Sequence, residues 1–295
     1  MKFELKFTAI VILLLGVFIF NGCNDGVSDS IIAGKLIITG VTVPVLGETP
    51  VTAIPETEQF TGTVTWDGNW TGPQTFAGSK AYTATITVTA KNGYTLTGVA
   101  EDFFLVPGAT IVTNPADSGV ITAIFPETAT VSIGDTALGG RVAYILQHLD
   151  PGYVEGEQRG LIAATVNQSS TIWAVAAYDT VAVPGGTGTE LGTGSANTDN
   201  IIAQNGSAPS VLILYAAGLA RAHNGGGYTD WYLPSQDELN QLYINKSHLE
   251  AFIDVYWSSS EGNASSAWKQ DFVDGGIQGN SGKGFAYYVR AVRTF

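Results

Sequence analysis

Residues 228–240 read Tyr-Thr-Asp-Trp-Tyr-Leu-Pro-Ser-Gln-Asp-Glu-Leu-Asn and predict an extended segment that leads into a helix. Ser235 and Glu238 have the Ser-x-x-Glu spacing of a capping box, and the proline directly before Ser235 favours an extended approach to the helix. Leu239 and Leu242 have the helical spacing of a buried side. This stretch therefore predicts a defined helix start inside a domain that mixes helices and strands.

The sequence around this stretch, residues 131–295, predicts an α+β domain. Its predicted strands are Arg141–Leu146, Gly160–Val166 and an aromatic, glycine-rich stretch from Val255 onward, and its other predicted helices are Thr198–Gln204 and Pro209–His223. Loops connect most of these short elements, and loops on a rigid scaffold commonly carry binding residues. We therefore expect the binding surface of this domain to be made by loops.

Residues 35–128 have a different pattern, with apolar and threonine residues alternating from Tyr82 to Ala90. This period of two predicts strands with one buried face, and further strand-like stretches are Leu36–Val43, Gly62–Trp66, Phe103–Val106 and Gly119–Phe125. Six or seven such strands favour an all-β immunoglobulin-like sandwich. The region resembles the threonine-rich Ig-like modules of bacterial surface proteins, which implies a spacer. Trp66 and Trp70 are interpreted as packing residues, with a sugar platform as the alternative.

The N-terminus has the features of a secretory signal. Lys2 and Lys6 precede an apolar run from Phe7 to Phe20, and Cys23 follows. Cys23 resembles the lipidated cysteine of bacterial lipoproteins, so residues 1–22 are predicted to be a signal peptide and residues 23–34 a flexible tether. An uncleaved membrane anchor is the alternative. Both interpretations place the remaining chain outside the cytoplasm, and we expect a lipid-anchored location in the cell envelope, on the outer surface of a bacterium.

Composition excludes several classes of function. The net charge of −13 makes nucleic acid a poor partner. Cys23 is the only cysteine, so neither an intrachain disulfide nor a cysteine-based metal site can form. His148, His223 and His248 have no His-x-x-x-His spacing. We therefore expect no cofactor and no metal.

Several ordered motifs carry a resemblance to a known family. After residues 228–240 come Tyr256-Trp-Ser-Ser-Ser-Glu, Ala267-Trp268 and Val289-Arg-Ala-Val-Arg, all in one register. They resemble the Lcl C-terminal domain family, a branch of the C-type lectin-like fold that includes the formylglycine-generating-enzyme type. A closer resemblance is to treponeme-type variable lipoproteins, whose C-terminal segment is diversified by a retroelement.

This register also predicts the structural frame of the domain. The frame residues are Trp231, Trp257, Glu261, Trp268, Arg290 and Arg293. The three tryptophans are interpreted as core, with a ligand cage as the alternative. Glu261 is predicted to pair with Arg290 or Arg293.

The segment from Gly262 to Tyr287 contains the predicted ligand-binding residues. They are Gly262, Asn263, Ser265, Ser266, Asp271, Val273, Asp274, Ile277, Asn280, Ser281, Phe285 and Tyr287. All twelve can be encoded by mutating the adenines of an asparagine codon, as happens in retroelement-diversified relatives, whereas the intervening Trp, Lys and Gln cannot. An ordinary polar loop is the alternative. Either pattern is typical of an adaptable binding surface.

These observations predict a binding protein rather than an enzyme. Formylglycine generation needs cysteine, which this domain lacks, and Ser258, Ser259 and Ser260 have no histidine nearby in sequence to act as a base. The expected partner is an extracellular protein or glycan. The alternatives are a carbohydrate-modifying enzyme that uses paired carboxylates, and a purely structural envelope protein.

Overall fold

The computed structural model describes residues 35–68, 74–250 and 252–295. Within them the chain divides into two compact units. The N-terminal unit contains residues 35–43, 51–67 and 81–126, and the C-terminal unit contains residues 44–50, 68, 74–80, 127–250 and 252–295. The predicted signal peptide, the tether, the lipidation residue Cys23 and Trp70 lie outside the described residues.

The N-terminal unit is all β. Its strands are β1 (Leu36–Ile37), β2 (Phe60–Trp66), β3 (Ala81–Ala90), β4 (Phe104–Leu105), β5 (Ile111–Thr113) and β6 (Val120–Glu127). One sheet has the order β2-β3-β6-β5, and β1 pairs with β4 in parallel. Tyr82, Ala84 and Ile86 are fully buried, so the predicted alternation along β3 is confirmed. The predicted strand Leu36–Val43 is wrong beyond Ile37, because Gly40 takes a positive φ of 87° that interrupts extended pairing.

Two short segments that the sequence assigned to the first domain belong instead to the C-terminal unit. Gly47 donates its backbone N–H to the carbonyl of Phe76 (2.8 Å), and Gly78 and Gln158 exchange two backbone hydrogen bonds (3.0 and 2.7 Å). Leu46 is buried in the larger core of that unit. The segments are therefore held by partners distant in sequence, which no local pattern indicates.

The C-terminal unit mixes two sheets with short helices. Its strands are β7 (Thr136–Ala137), β8 (Gly140–Ile145), β9 (Gly160–Ala163), β10 (Gln168–Ile172), β11 (Val255–Asn263), β12 (Ser266–Asp271), β13 (Gln278–Gly282), β14 (Ala286–Val289) and β15 (Val292–Thr294). Its helices are α1 (Gly194–Asn205), α2 (Pro209–Leu212), α3 (Ala216–Arg221) and α4 (Gln236–Ile244). The sheet orders are β10-β14-β11-β12-β13 and β15-β9-β8-β7.

The capping box that begins α4 is confirmed. The Ser235 hydroxyl accepts a hydrogen bond from the backbone N–H of Glu238 (3.3 Å), and the Glu238 carboxylate accepts one from the N–H of Ser235 (2.8 Å). Leu239 and Leu242 are buried, as predicted. Both hydrogen bonds join residues three positions apart, so a local sequence pattern could predict the capping box.

The predicted single helix Pro209–His223 is wrong, because the chain divides it into α2 and α3. Between them Tyr215 is extended (φ −144°, ψ 159°) and forms a parallel bridge with Ile172. Its side chain is fully buried, and its hydroxyl donates a hydrogen bond to the carbonyl of Gly206 (2.8 Å). Burial and strand pairing of Tyr215 therefore override the helical spacing of the apolar residues around it.

Two of the three predicted core tryptophans are fully buried. Trp231 and Trp257 have no exposed surface, whereas Trp268 is only partly buried, which corrects its prediction as a core residue. Trp173, which the motifs did not single out, is fully buried and donates its indole N–H to the carbonyl of Ser258 (2.7 Å).

Across the residues that the structure covers, no helix has both the length and the apolar character needed to cross a membrane.

Candidate ligand-binding surface

The twelve predicted ligand-binding residues form two groups at opposite ends of β12. The turn cluster comprises Gly262, Asn263, Ser265, Ser266, Asn280, Ser281, Phe285 and Tyr287, and the loop cluster comprises Asp271, Val273, Asp274 and Ile277. Antiparallel pairing places Ser281 opposite Ala267 and so brings it to the turn end of the hairpin. The six-residue strand Ser266–Asp271 is about 17 Å long. The structure therefore divides the predicted surface into two separate patches.

None of these twelve residues is buried as a whole, although the hydroxyl of Ser266 is. Eight are exposed and four are partly buried. Three are large and apolar, with exposed fractions of 69% for Val273, 60% for Ile277 and 63% for Phe285. The interleaved Gln270 and Phe272 are buried instead. Outward-facing residues thus alternate with residues that hold the fold, so the outward ones can change with little effect on the core.

The loop cluster is organised by one carboxylate. An oxygen of Asp271 accepts hydrogen bonds from the backbone N–H groups of Val273 (2.8 Å) and Asp274 (2.9 Å). These two hydrogen bonds lower the pKa of Asp271. Gly275 is exposed and has a φ of 66°, a conformation that disfavours other residues.

Within residues 35–68, 74–250 and 252–295, no three His, Cys, Asp or Glu side chains gather where they could hold a metal ion.

The partner of Glu261 is Lys283, so the predicted pairing with Arg290 or Arg293 is wrong. Lys283 has a fully buried side chain, forms an ion pair with Glu261 and donates a hydrogen bond to the carbonyl of Val181 (2.8 Å). The Glu261 carboxylate also accepts a hydrogen bond from the backbone N–H of Val183 (3.0 Å). The pair therefore anchors the 181–183 segment to β11.

Arg290 is buried among backbone carbonyls and an amide. It donates hydrogen bonds to the carbonyls of Ala164 (2.6 Å) and Glu250 (2.8 Å) and to the side-chain oxygen of Asn167 (2.9 Å). Its guanidinium also lies 4.2 Å from the ring centre of Phe252. Burial lowers the pKa of Arg290. The side chain thus ties distant segments together, which is a structural role.

Arg293 forms a two-pronged ion pair with Asp230, a residue of the 228–240 motif. The two nitrogen–oxygen distances are 2.8 and 2.9 Å. The guanidinium lies 3.8 Å from the ring centre of Tyr228. Such planar pairing suits arginine better than lysine. The contact joins the 228–240 motif to the last strand of the chain.

The three consecutive serines of β11 are buried and hydrogen-bonded. Ser258 donates to the carbonyl of Trp268 (3.1 Å), and Ser260 donates to the carbonyl of Gly188 (2.7 Å). Ser259 accepts a hydrogen bond from the amide of Asn197 (3.1 Å). These contacts give the three serines a structural role within the sheet. An exposed nucleophile would need a free hydroxyl beside a base.

A network of side-chain amides connects α4 to the hairpin, and sequence reasoning missed it. Gln270 donates a hydrogen bond to the side-chain oxygen of Asn240 (2.9 Å), and Gln236 donates one to the side-chain oxygen of Gln278 (2.9 Å). Gln270 and Gln278 had been recognised only as residues that the codon pattern excludes from variation. Their hydrogen bonds to α4 give both side chains a structural role.

Tyr287 belongs to both the frame and the surface. Its ring packs edge-on against Trp257, with ring centres 4.7 Å apart, and its hydroxyl lies 3.2 Å from that of Ser281. The ammonium of Lys269 lies 5.8 Å from the centre of the same ring. Tyr287 is therefore less free to vary than the exposed residues of the turn cluster.

An open depression borders the turn cluster. It is lined by Asp179, Thr180, Ser265, Gly282, Lys283, Gly284 and Phe285. Asp179 and Thr180 were not predicted as site residues, because they lie more than 80 positions before Ser265 and belong to no recognisable motif. The Lys283 contacts with the 181–183 segment bring them to the hairpin.

Comparisons with known proteins gave one family match and one distant structural likeness. No match was found among curated proteins. Among solved structures, the chain is similar to a fimbrial protein from Bacteroides ovatus ATCC 8483, with 12% identity, a TM-score of 0.34 and coverage of 88% of this chain and 68% of that one. That likeness is too distant to carry an argument. Residues 165–293 match the family described as the Lcl C-terminal domain, which confirms for this segment the family predicted from its motifs.

Proposed function

We propose that this chain is a cell-envelope lipoprotein whose C-terminal domain binds an extracellular protein or glycan. The observation that carries the proposal is the alternation of exposed and buried residues along 262–287. Large apolar side chains such as Phe285 and Ile277 face solvent there, between buried residues such as Gln270 and Lys283. Exposed apolar side chains on a rigid polar frame are typical of binding surfaces.

The proposal assigns a C-type lectin-like fold to the C-terminal domain and an Ig-like spacer to the N-terminal one. The Lcl C-terminal match supports the first assignment, and the antiparallel sheet with alternating burial in β3 supports the second. We also propose that a retroelement diversifies the segment. Its support is that each of the twelve predicted positions can be encoded by a mutated asparagine codon and is at least partly exposed. A neighbouring reverse-transcriptase gene with a near-copy of the last coding segment is the expected genomic finding.

The proposed anchor is a lipid on Cys23. Its support is the charged, apolar and small-residue order of the first 23 positions. Cys23→Ser should abolish incorporation of labelled fatty acid and move the chain from the membrane fraction to the soluble fraction. Retention of both label and membrane association would refute the anchor.

A triple variant tests the binding surface. Val273→Ala, Ile277→Ala and Phe285→Ala together remove the large exposed apolar side chains of both clusters. Wild type and variant are compared on immobilised extracellular-matrix proteins and on a glycan array. Binding of at least one probe should fall by roughly tenfold or more, while the melting temperature stays nearly constant.

The matched control carries alanine at three exposed apolar residues elsewhere in the C-terminal unit. They are Leu149, Val166 and Ile213. The control should bind as the wild type does. Equal binding by all three proteins would refute the proposed surface, and no binding to any probe would favour a structural envelope protein.

The non-enzymatic part of the proposal is supported by the state of Glu261. Its carboxylate is occupied by Lys283 and by the Val183 backbone, which makes it a poor general acid or base. Release of reducing sugar from envelope polysaccharides, lost on replacing a single carboxylate, would instead support the glycosidase alternative.

A further inference from the structure

The ring of Phe285 forms one wall of the depression, and part of the ring surface is exposed. Phe285 is 63% exposed, and its ring lies over Gly282. A Cβ atom on Gly282 would stand 3.3 Å from ring atom Cδ2 and 3.4 Å from Cε2. The glycine therefore lets the ring pack closely on one side. The remaining ring surface faces solvent and can accept a flat apolar face of a ligand.

The lining of the depression also includes hydrogen-bonding groups that the described residues leave unused. Asp179 is partly buried, and its carboxylate has no hydrogen-bond or ion-pair partner among the residues that the structure describes. Thr180 presents a second polar side chain beside it. A partly desolvated carboxylate gains most from ligand groups that donate hydrogen bonds. The lining thus suits a ligand with several hydroxyl groups.

The charge of the depression argues against anionic ligands. The ammonium of Lys283 is committed to Glu261 and to the Val181 carbonyl, so it offers little attraction to a phosphate or sulfate. Asp179 contributes the remaining negative charge, and the whole chain has a net charge of −13. Electrostatic repulsion therefore disfavours sialylated or sulfated groups.

The walls are held in place before any ligand arrives. The backbone N–H of Lys283 donates to the carbonyl of Ser265 (3.1 Å), and the N–H of Trp173 donates to the carbonyl of Lys283 (2.8 Å). Phe285 donates its backbone N–H to Gly282 (3.0 Å). A preformed site avoids part of the entropic cost of binding.

From these features we infer that the depression binds a neutral sugar ring, stacked on Phe285 and hydrogen-bonded to Asp179, without calcium. A sugar ring combines a C–H face with a rim of hydroxyl groups and so matches both walls. A single carboxylate falls well short of the six to eight oxygen ligands, roughly, that calcium takes. The inference rests on the proposed binding function and narrows its ligand to a neutral glycan.

The test uses multivalently displayed neutral oligosaccharides of glucose, galactose, mannose and N-acetylglucosamine, with sulfated and sialylated counterparts, each with and without EDTA. The chain should bind at least one neutral probe, equally well in EDTA, and should bind the anionic counterparts less. Phe285→Ala and Asp179→Asn should each weaken binding by roughly tenfold, and Phe285→Trp should retain it.

Leu149→Ala is the matched control, because it removes an exposed apolar side chain of the same unit that lies outside both clusters. It should not affect sugar binding. Absence of binding to every neutral probe, loss of binding in EDTA, or equal loss in Leu149→Ala would overturn the inference. If matrix proteins still bind and the triple variant abolishes that binding, the proposed function stands and only the sugar assignment fails. If neither probe set binds, both fail.

Discussion

Replacing Glu238 by glutamine should change how stability depends on pH. Glu238 is fully buried, and its carboxylate accepts hydrogen bonds from the backbone of Ser235 (2.8 Å) and Gly192 (3.0 Å) and from the hydroxyl of Tyr232 (3.2 Å). Burial is the larger effect and raises the pKa of Glu238 to about 7, while these hydrogen bonds oppose the rise. The folded chain therefore holds this proton more tightly than the unfolded chain does.

The sign and the size follow from this difference in pKa. Below about pH 4.5 Glu238 is protonated in both states, and between about pH 4.5 and 7 the unfolded chain loses the proton first. Stability from this group therefore falls as pH rises through that window and is lost above pH 7. Since one pKa unit corresponds to about 1.4 kcal/mol, the full change is about 3 kcal/mol.

Urea unfolding at a series of pH values, followed by tryptophan fluorescence, measures this effect. Among the described residues, the tryptophans that report on the same unit are Trp173, Trp231, Trp257 and Trp268. The free energy of unfolding of Glu238→Gln, minus that of the wild type, should rise by about 3 kcal/mol between pH 4.5 and 7.5. Groups shared by both proteins cancel in the difference. A difference that stays level or falls with pH would show that the hydrogen bonds outweigh burial, and would refute the reasoning.

Three further predictions concern the frame. Lys283→Met should lower the free energy of urea unfolding by about 3 kcal/mol, because it leaves the Glu261 carboxylate without its cation. Adding Glu261→Met should recover part of that loss. A double variant as unstable as Lys283→Met alone would argue against the ion pair. Trp257→Ala should lower the free energy of unfolding by about 3–5 kcal/mol and Trp268→Ala by clearly less, since only Trp257 is fully buried. Equal losses in the two variants would contradict the difference in burial. Gly275→Ala should cost about 1 kcal/mol because of its positive φ, and an unchanged unfolding midpoint would contradict that.

Local patterns in the sequence predicted part of the fold. The alternation from Tyr82 to Ala90 indicated β3, and Ser235 with Glu238 indicated the start of α4. Both depend on residues within one element, so the sequence order itself contains the geometry. The apolar spacing from Pro209 to His223 was equally regular and still misled, because a parallel bridge from Tyr215 to a distant strand breaks the helix.

The candidate site also contains some residues that the sequence could predict and others that it could not. Its exposed residues from Gly262 to Tyr287 could be predicted, since small, polar and codon-compatible residues alternate there with Gln and Lys. Asp179 could not be predicted, because it enters the site through the contacts of Lys283 with the 181–183 segment. A contact between positions 100 apart leaves no periodic signal in the sequence.

The sequence by itself determined which strands alternate, where α4 begins and which C-terminal residues face solvent. Only the tertiary structure decided that Glu261 pairs with Lys283, that Arg293 pairs with Asp230 and that the twelve predicted site residues divide into two clusters. The physical reason is the sequence distance over which each interaction acts. Backbone preference, capping and amphipathic spacing act over a few residues, whereas the partner of a buried charge depends on which segments pack together in three dimensions.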